Sequence, residues 1–293
     1  LVYNNVDLGS PSATFSSDGL LNVHIKNIGL SNFTRGIDIG ATNSCGAQCS
    51  RFENIWYKDC SEWGVNFENF QMCKFIHING RTETNSQNGG QRYASTVAST
   101  VLIPGDSVLE SLWHAMRYRL NRGFCFHVAG GASLNDLIIN KAMVNRVNEA
   151  STTAAATMSG ASANIGVPDS SIFPVGIPVY FTSTANGFTA NLAYFVLTSA
   201  ANVITVSLTP DGAAVVSSGS AAITIGTGGF PSWEFRCLSG GTSYCTNFKG
   251  TGLAAETINS VPFVMQNISG GDFQINDLST TSHTHLVMRA ATR

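Results

Sequence analysis

Phe52-Glu53-Asn54-Ile55 sets out a four-residue pattern that the rest of the chain repeats: an apolar residue, a variable one, a small polar one or His, and a second apolar residue. The pattern returns as Ile25-Lys26-Asn27-Ile28, Phe75-Ile76-His77-Ile78, Leu109-Glu110-Ser111-Leu112, Leu134-Asn135-Asp136-Leu137, Cys245-Thr246-Asn247-Phe248 and Ile275-Asn276-Asp277-Leu278. Its third positions fall at residues 27, 54, 77, 111, 136, 247 and 277, in steps of 27, 23, 34, 25, 111 and 30. A second element follows the first at a similar distance, as Gly36-Ile37-Asp38-Ile39, Gly64-Val65-Asn66-Phe67 and Gly123-Phe124-Cys125-Phe126. Each repeat therefore carries at least two strands. Such a unit cannot bury its apolar residues alone and does so by stacking on its neighbours, which predicts a parallel β-helix, a solenoid of coiled strands. A leucine-rich repeat would bring denser Leu and helical returns, and a propeller longer four-stranded units.

The step of 111 coincides with a break in composition. From Ala150 to Trp233 there is no Lys, Arg, His or Cys, and the only acids are Asp169 and Asp211. Cutting out residues 151–228, which number 78, shortens the step to 33, in line with the others. The chain thus divides into a first part of the β-helix at 1–150, an inserted small all-β domain at 151–228, and the continued β-helix at 229–293. Within the insert, Val179-Tyr180-Phe181-Thr182, Ala193-Tyr194-Phe195-Val196-Leu197, Asn202 to Leu208 and Ala221 to Ile225 read as strands, separated by turn signals such as Asn186-Gly187 and Pro210-Asp211-Gly212.

Composition narrows the function classes. Among 293 residues, 43% are hydrophobic and only 12% charged, with 29 Gly, so the surface is covered by Ser, Thr, Asn and Gly. A net charge of -2 supplies no basic field for a phosphate backbone, which argues against nucleic acid as the main partner. No apolar run approaches the ~20 residues of a membrane helix, so membrane insertion is not expected. The first residue is Leu1 rather than Met, so the sequence reads as part of something longer. Seven cysteines, an odd number, do not suggest a disulfide framework, and most are expected to be buried small hydrophobes.

With these repeats and the insert in view, the chain resembles phage tailspikes of the pectate-lyase-like class, whose fold is a right-handed parallel β-helix. That likeness covers about Ser17 to Glu149 and Gly229 to the C-terminus. The insert is similar to a small β-module of phage tail and fibre proteins, through Phe173-Pro174-Val175-Gly176-Ile177-Pro178-Val179-Tyr180-Phe181, Ala193-Tyr194-Phe195-Val196 and Leu208-Thr209-Pro210-Asp211-Gly212. The resemblance implies a homotrimer in the virion tail, made in the host cytoplasm and attached to other tail proteins. It implies recognition of bacterial surface polysaccharide, often with depolymerisation by a glycoside hydrolase or lyase, and no cofactor. The competing class is a non-catalytic structural or adhesion fibre. A cellular pectate lyase is a weaker fit, because the calcium-binding acidic cluster of those enzymes has no evident counterpart.

Register supplies the candidate residues. In strands that alternate in and out, Ile25, Phe52 and Leu109 face the core, Lys26, Glu53 and Glu110 face outward, and Asn27, Asn54 and Ser111 form a corner where side chains can hydrogen-bond along the stack. Glu53 and Glu110 then lie two strands apart, about 9.6 Å at ~4.8 Å per strand. This is near the upper end of the ~6.5–9.5 Å that separates the carboxyl pair of an inverting glycosidase. They are the candidate catalytic pair. Trp56 and Trp113 lie outward just past the corner as sugar-stacking faces, with Arg51 and His114 as a nearby charge and proton donor. Against this reading, Lys26 beside Glu53 makes an ordinary surface ion pair, and the tryptophans suit a subunit contact. A second strip holds Glu68 and His127 as an alternative acid and base, or as solvated surface groups. The polar stretch Arg81 to Ala98 reads as an excursion between strands that carries recognition or is a plain bulge. Cys45-Gly46-Ala47-Gln48-Cys49 and His283-Thr284-His285 lack a matching half at zinc spacing, so no metal site is expected.

Overall fold

A computed structural model describes residues 20–39, 46–83, 89–96, 107–118, 120–128, 133–135, 137–146, 152–237, 244–246, 248–257, 263–266, 271–280 and 286–289. Their regular structure is all β apart from a one-turn 3-10 helix at Ser170–Ile172, and the sheets are largely parallel. The longest sheet has nine strands. His24–Ser31, Arg51–Lys58 and Lys74–Thr82 lie side by side, followed by the pairs Ser107–Glu110 with Trp113–Met116 and Leu137–Asn140 with Met143–Arg146, then by Phe248–Thr257 and Gly271–Thr280. A seven-stranded parallel sheet runs Arg35–Ile39, Trp63–Glu68, Gly90–Ser95, Phe124–Val128, Trp233–Cys237, Phe263–Gln266 and Leu286–Arg289. Shorter parallel sheets join Leu20–Leu21, Ala47–Gln48 and Phe70–Gln71, and Ser133–Asn135 with Tyr244–Thr246.

The corner of the repeat is a column of left-handed residues: Asn27, Asn54, His77 and Ser111 have φ of 58°, 53°, 52° and 54°. Asn tolerates this region better than most residues, which explains its recurrence there. The bend resets the in-out alternation, so Phe52 and Ile55, three residues apart, are both fully buried. Asn54 Nδ2 donates to Asn27 Oδ1 at 2.7 Å, so part of the expected corner ladder is in place.

Two features depart from the sequence reading. In the fifth repeat the left-handed corner is Lys141, with φ of 51°, because Glu110 pairs with Asn140. The pattern copies at residues 134–137 and 245–248 instead begin within the short strands Ser133–Asn135 and Tyr244–Thr246, which pair with each other, and their third positions, Asp136 and Asn247, lie outside the described residues. Both copies are displaced in the same direction from the bend, so the step between them does not reveal the shift. The stretch from Arg81 to Ala98 is also not simply an excursion: Gly90–Ser95 is a strand of the seven-stranded sheet, with Gln91 and Tyr93 fully buried, while 84–88 lie outside the described residues. Its polar composition conceals that every second side chain faces in.

The core lies between the long sheets and is a file of rings. Phe67 packs against Phe52 and Phe75 at 4.6 Å each, and Phe126 stacks on Tyr93 at 5.4 Å and on Phe235 at 4.8 Å. Each buried Phe contributes about 1.5–3 kcal/mol by removal from water. Tyr57 needs a special accommodation: its ring lies over Gly64 and Gly80, where any Cβ would overlap it. This lets Tyr57 Oη approach His114 Nδ1, 2.7 Å away, with the two rings stacked at 5.6 Å.

Residues 152–227 form a closed antiparallel barrel with the strand order Thr152–Met158, Ile165–Gly166, Val203–Ser207, Tyr194–Ala200, Pro178–Phe181 and Ala221–Thr227. Its own core includes Phe173, Phe181, Phe188, Tyr194, Ile204 and Ile225. Both parallel sheets continue past it, since Phe124–Val128 pairs with Trp233–Cys237 and Leu137–Asn140 with Phe248–Thr257. The barrel also touches the parallel part. Ala193 and Phe195 pack on Val264, Asp211 pairs with Arg236, and Arg122 reaches the Val175 carbonyl at 3.4 Å.

Candidate functional site

Past the Asn corner, the outward positions of the long sheet form a surface strip. Trp56 and Trp113 both pair in register with Asn79, from opposite sides, and their ring centroids are 6.0 Å apart at 51°. Trp56 is 48% exposed, a large apolar surface for an outward side chain. Two residues further along, the same alternation puts Lys58 next to Arg81 and Arg81 next to Ala115. Where these strands end, an open groove of about 700 Å³ is lined by Arg81, Glu83, Trp113, Arg117, Tyr118 and Asn145, among others.

The groove's charges are unevenly matched. Glu83 accepts from Lys58 Nζ at 3.1 Å and pairs with Arg81, and these cations, Lys58 first, together with the more distant charge of Arg117, hold its carboxyl below the usual range. Arg117 lies over the Tyr118 ring, 5.9 Å from its centroid, and has no carboxylate partner among the described residues. An aromatic platform beside a bidentate cation suits a ligand with flat apolar faces and polar edges. The expected site contained only Trp113 of the groove residues. Continuing the alternation two residues beyond Trp56, Asn79 and Met143, which share the register of Trp113, leads to Lys58, Arg81 and Asn145, so part of this signal was in the sequence.

The carboxylate pair sits on the other side of the corner. Glu53 and Glu110 are in the predicted register, each paired with Ile76 from opposite sides. Glu53 is taken up locally: Arg51 Nε donates to it at 2.8 Å and His24 Nε2 lies at 3.1 Å, so Arg51, then His24, lower its pKa. Its ion-pair partners are therefore Arg51 and His24, although Lys26 does occupy the adjacent register position. A carboxylate held ionised in this way is a poor proton donor and suits a base or an anchor. Arg51, expected to contact glycan, is engaged by Glu53. His114 does not join the strip. It is fully buried against Tyr57, because next to an outward Trp113 the alternation turns it inward.

The second strip is on the outer face of the seven-stranded sheet but is covered rather than solvated. Glu68 and His127 share a register position two strands apart, with Ala94 between them. They do not act on one another. Glu68 pairs with Arg92 and accepts from Asn66 Nδ2 at 3.3 Å, while His127 Nε2 donates to Glu234 Oε2 at 3.3 Å. Burial lowers His127 to about 4; the hydrogen bond to Glu234 opposes this and Arg236 reinforces it. Burial alone would raise Glu234, but Arg122, with His127 and Arg236, outweighs it and holds the carboxyl at about 2.

Cys125, His127 and Glu234 present donor atoms within 4.8 Å of one another, the spacing of a possible metal site. The surroundings argue otherwise. Arg122 and Arg236 already pair with Glu234, and burial raises the Cys125 thiol far above its ordinary range, so the donors are protonated or occupied. Cys45, His283 and His285 lie outside the described residues, and Cys49 is a free, exposed thiol. No family model, curated protein or solved structure matches this chain.

Proposed function

We propose that this chain is the receptor-binding part of a phage tailspike, and that its stacked parallel strands are the coils of a right-handed parallel β-helix into which the barrel is inserted. On this reading it binds bacterial surface polysaccharide along the outer face of the long sheet, as a homotrimer carried in the virion with other tail proteins. The observation that carries the glycan reading is the outward Trp56 and Trp113 pair, 6.0 Å apart and continuous with a groove lined by Arg81, Arg117 and Tyr118. Side-by-side rings on a rigid sheet offer sugar faces a prearranged platform with little entropy left to lose. The phage assignment rests on the sequence resemblance alone.

The engagement of Glu53 by Arg51 and His24 suits it to the base of a depolymerase and not to the acid, and the non-catalytic adhesion fibre is the competing reading. Incubation with purified capsular and O-antigen polysaccharides separates the two, with product size and absorbance of an unsaturated uronate as readouts. For a depolymerase, Glu53→Gln and Glu110→Gln each abolish turnover and leave binding intact. For an adhesin, the protein binds one member of the panel and shortens none, and Trp56→Ala and Trp113→Ala each weaken binding by about 0.5–1.5 kcal/mol. Failure to bind any member refutes the glycan reading, and a stable monomer in sedimentation at micromolar concentration refutes the trimer.

A further inference from the structure

We infer that the groove beside Trp113 selects an anionic saccharide, one whose sugar carries a carboxylate such as a uronic or sialic acid, with Arg117 as the residue that reads the charge. The inference rests on the glycan-binding reading and adds to it the class of glycan. Three observations support it. The formal charges of Arg81, Arg117 and Glu83 leave the lining net positive, on a chain whose overall charge is -2. Glu83 makes its direct ion pairs with Lys58 and Arg81 and meets Arg117 only through space, so a single carboxylate is shared among three cations. The Arg117 guanidinium, over the Tyr118 ring and without a carboxylate partner among the described residues, keeps its planar set of donors for an incoming group.

The geometry fits an acidic sugar better than a neutral one. A neutral hexose would stack on Trp113 and Tyr118 but would leave a desolvated guanidinium facing hydroxyls, which make weaker hydrogen bonds than carboxylates do. A carboxylate accepts two parallel N–H bonds from the guanidinium while the ring carbons keep their contact with the aromatic faces. Arg81, paired with Glu83, is the second cation of the lining.

The test uses the whole protein and a panel of capsular and O-antigen polysaccharides, acidic and neutral, each acidic member also prepared with its carboxyl groups reduced to alcohols. Binding is followed by calorimetry at two salt concentrations. The expected result is that bound members are acidic, that carboxyl reduction or Arg117→Gln weakens binding about tenfold or more, and that Arg117→Lys recovers only part of it. Arg117→Gln is further expected to weaken binding of the reduced polymer far less than binding of the acidic one, and the melting temperature confirms that the variant folds. A neutral polysaccharide bound through Trp113, with Arg117→Gln equal to the parent, overturns the charge inference and leaves the glycan reading standing. Binding of no polysaccharide at all overturns both.

Discussion

Acidification from pH 7 to pH 4 is expected to destabilise the protein through His127, a histidine that the fold keeps neutral. The ring is 13% exposed on the seven-stranded sheet, where it donates to Glu234, with Arg236 beside it in register and Arg122 on the same carboxylate. Its pKa falls from 6.5 in the unfolded chain to about 4 in the fold. Because the folded value is the lower one, the unfolded chain takes up a proton first as pH drops. Stability is complete above pH 6.5 and declines as pH falls from 6.5 to 4, by about 3 kcal/mol at ~1.4 kcal/mol per unit. His127→Gln keeps a hydrogen-bond donor for Glu234 but cannot charge, so this pH dependence disappears. Urea unfolding at pH 7, 5.5 and 4, at one protein concentration, measures the difference between parent and variant. Groups that titrate independently of His127 cancel in that difference. The variant gains on the parent by about 3 kcal/mol across the interval, and coincident profiles would refute the claim that His127 is buried in its neutral form.

Three further expectations follow from the packing. Gly80→Ala puts a methyl into the Tyr57 ring and is expected to cost about 1–3 kcal/mol in denaturant unfolding, as overpacked cores do; a neutral result would mean that Tyr57 does not lean across Gly80. Asn54→Gly, which keeps the left-handed bend, is expected to cost less than Asn54→Val, which adds a β-branched strain of about 1–2 kcal/mol; equal midpoints would argue against the bend. Replacement of residues 151–228 by a Gly/Ser linker is expected to leave β-type circular dichroism but to lower the melting temperature, because it uncovers Val264 and removes Asp211 from Arg236. An unchanged melting temperature would mean that the barrel's contact with the sheet contributes nothing, and insolubility with every linker would mean that the barrel is required for folding.

Much of the parallel architecture was readable because a strand's alternation is a local property. The distance from Phe52 to Trp56 and from Leu109 to Trp113 fixes which side chains share a face, and the recurring Asn marks the bend, so Glu53 with Glu110 and Trp56 with Trp113 could be paired from spacing alone. His114 was equally readable, since its neighbour Trp113 points outward and adjacent residues of a strand face opposite ways. The slip at Asp136 and the missed strand at Gly90–Ser95 have a different origin: four-residue patterns are short enough to recur by chance, and only the hydrogen-bonded register distinguishes Lys141 as the true bend. The tertiary structure alone brought His127 to Glu234, which stands 107 residues away on the far side of the insert, and covered both. It also assembled the groove from the ends of separate strands, where the one carboxylate, Glu83, pairs directly with Lys58 and Arg81 and is shared through space with Arg117. Sequence determines the period of a strand and which of its residues prefer water; which charge meets which, once strands from distant segments stack and a barrel settles on them, is decided only when the chain closes in three dimensions.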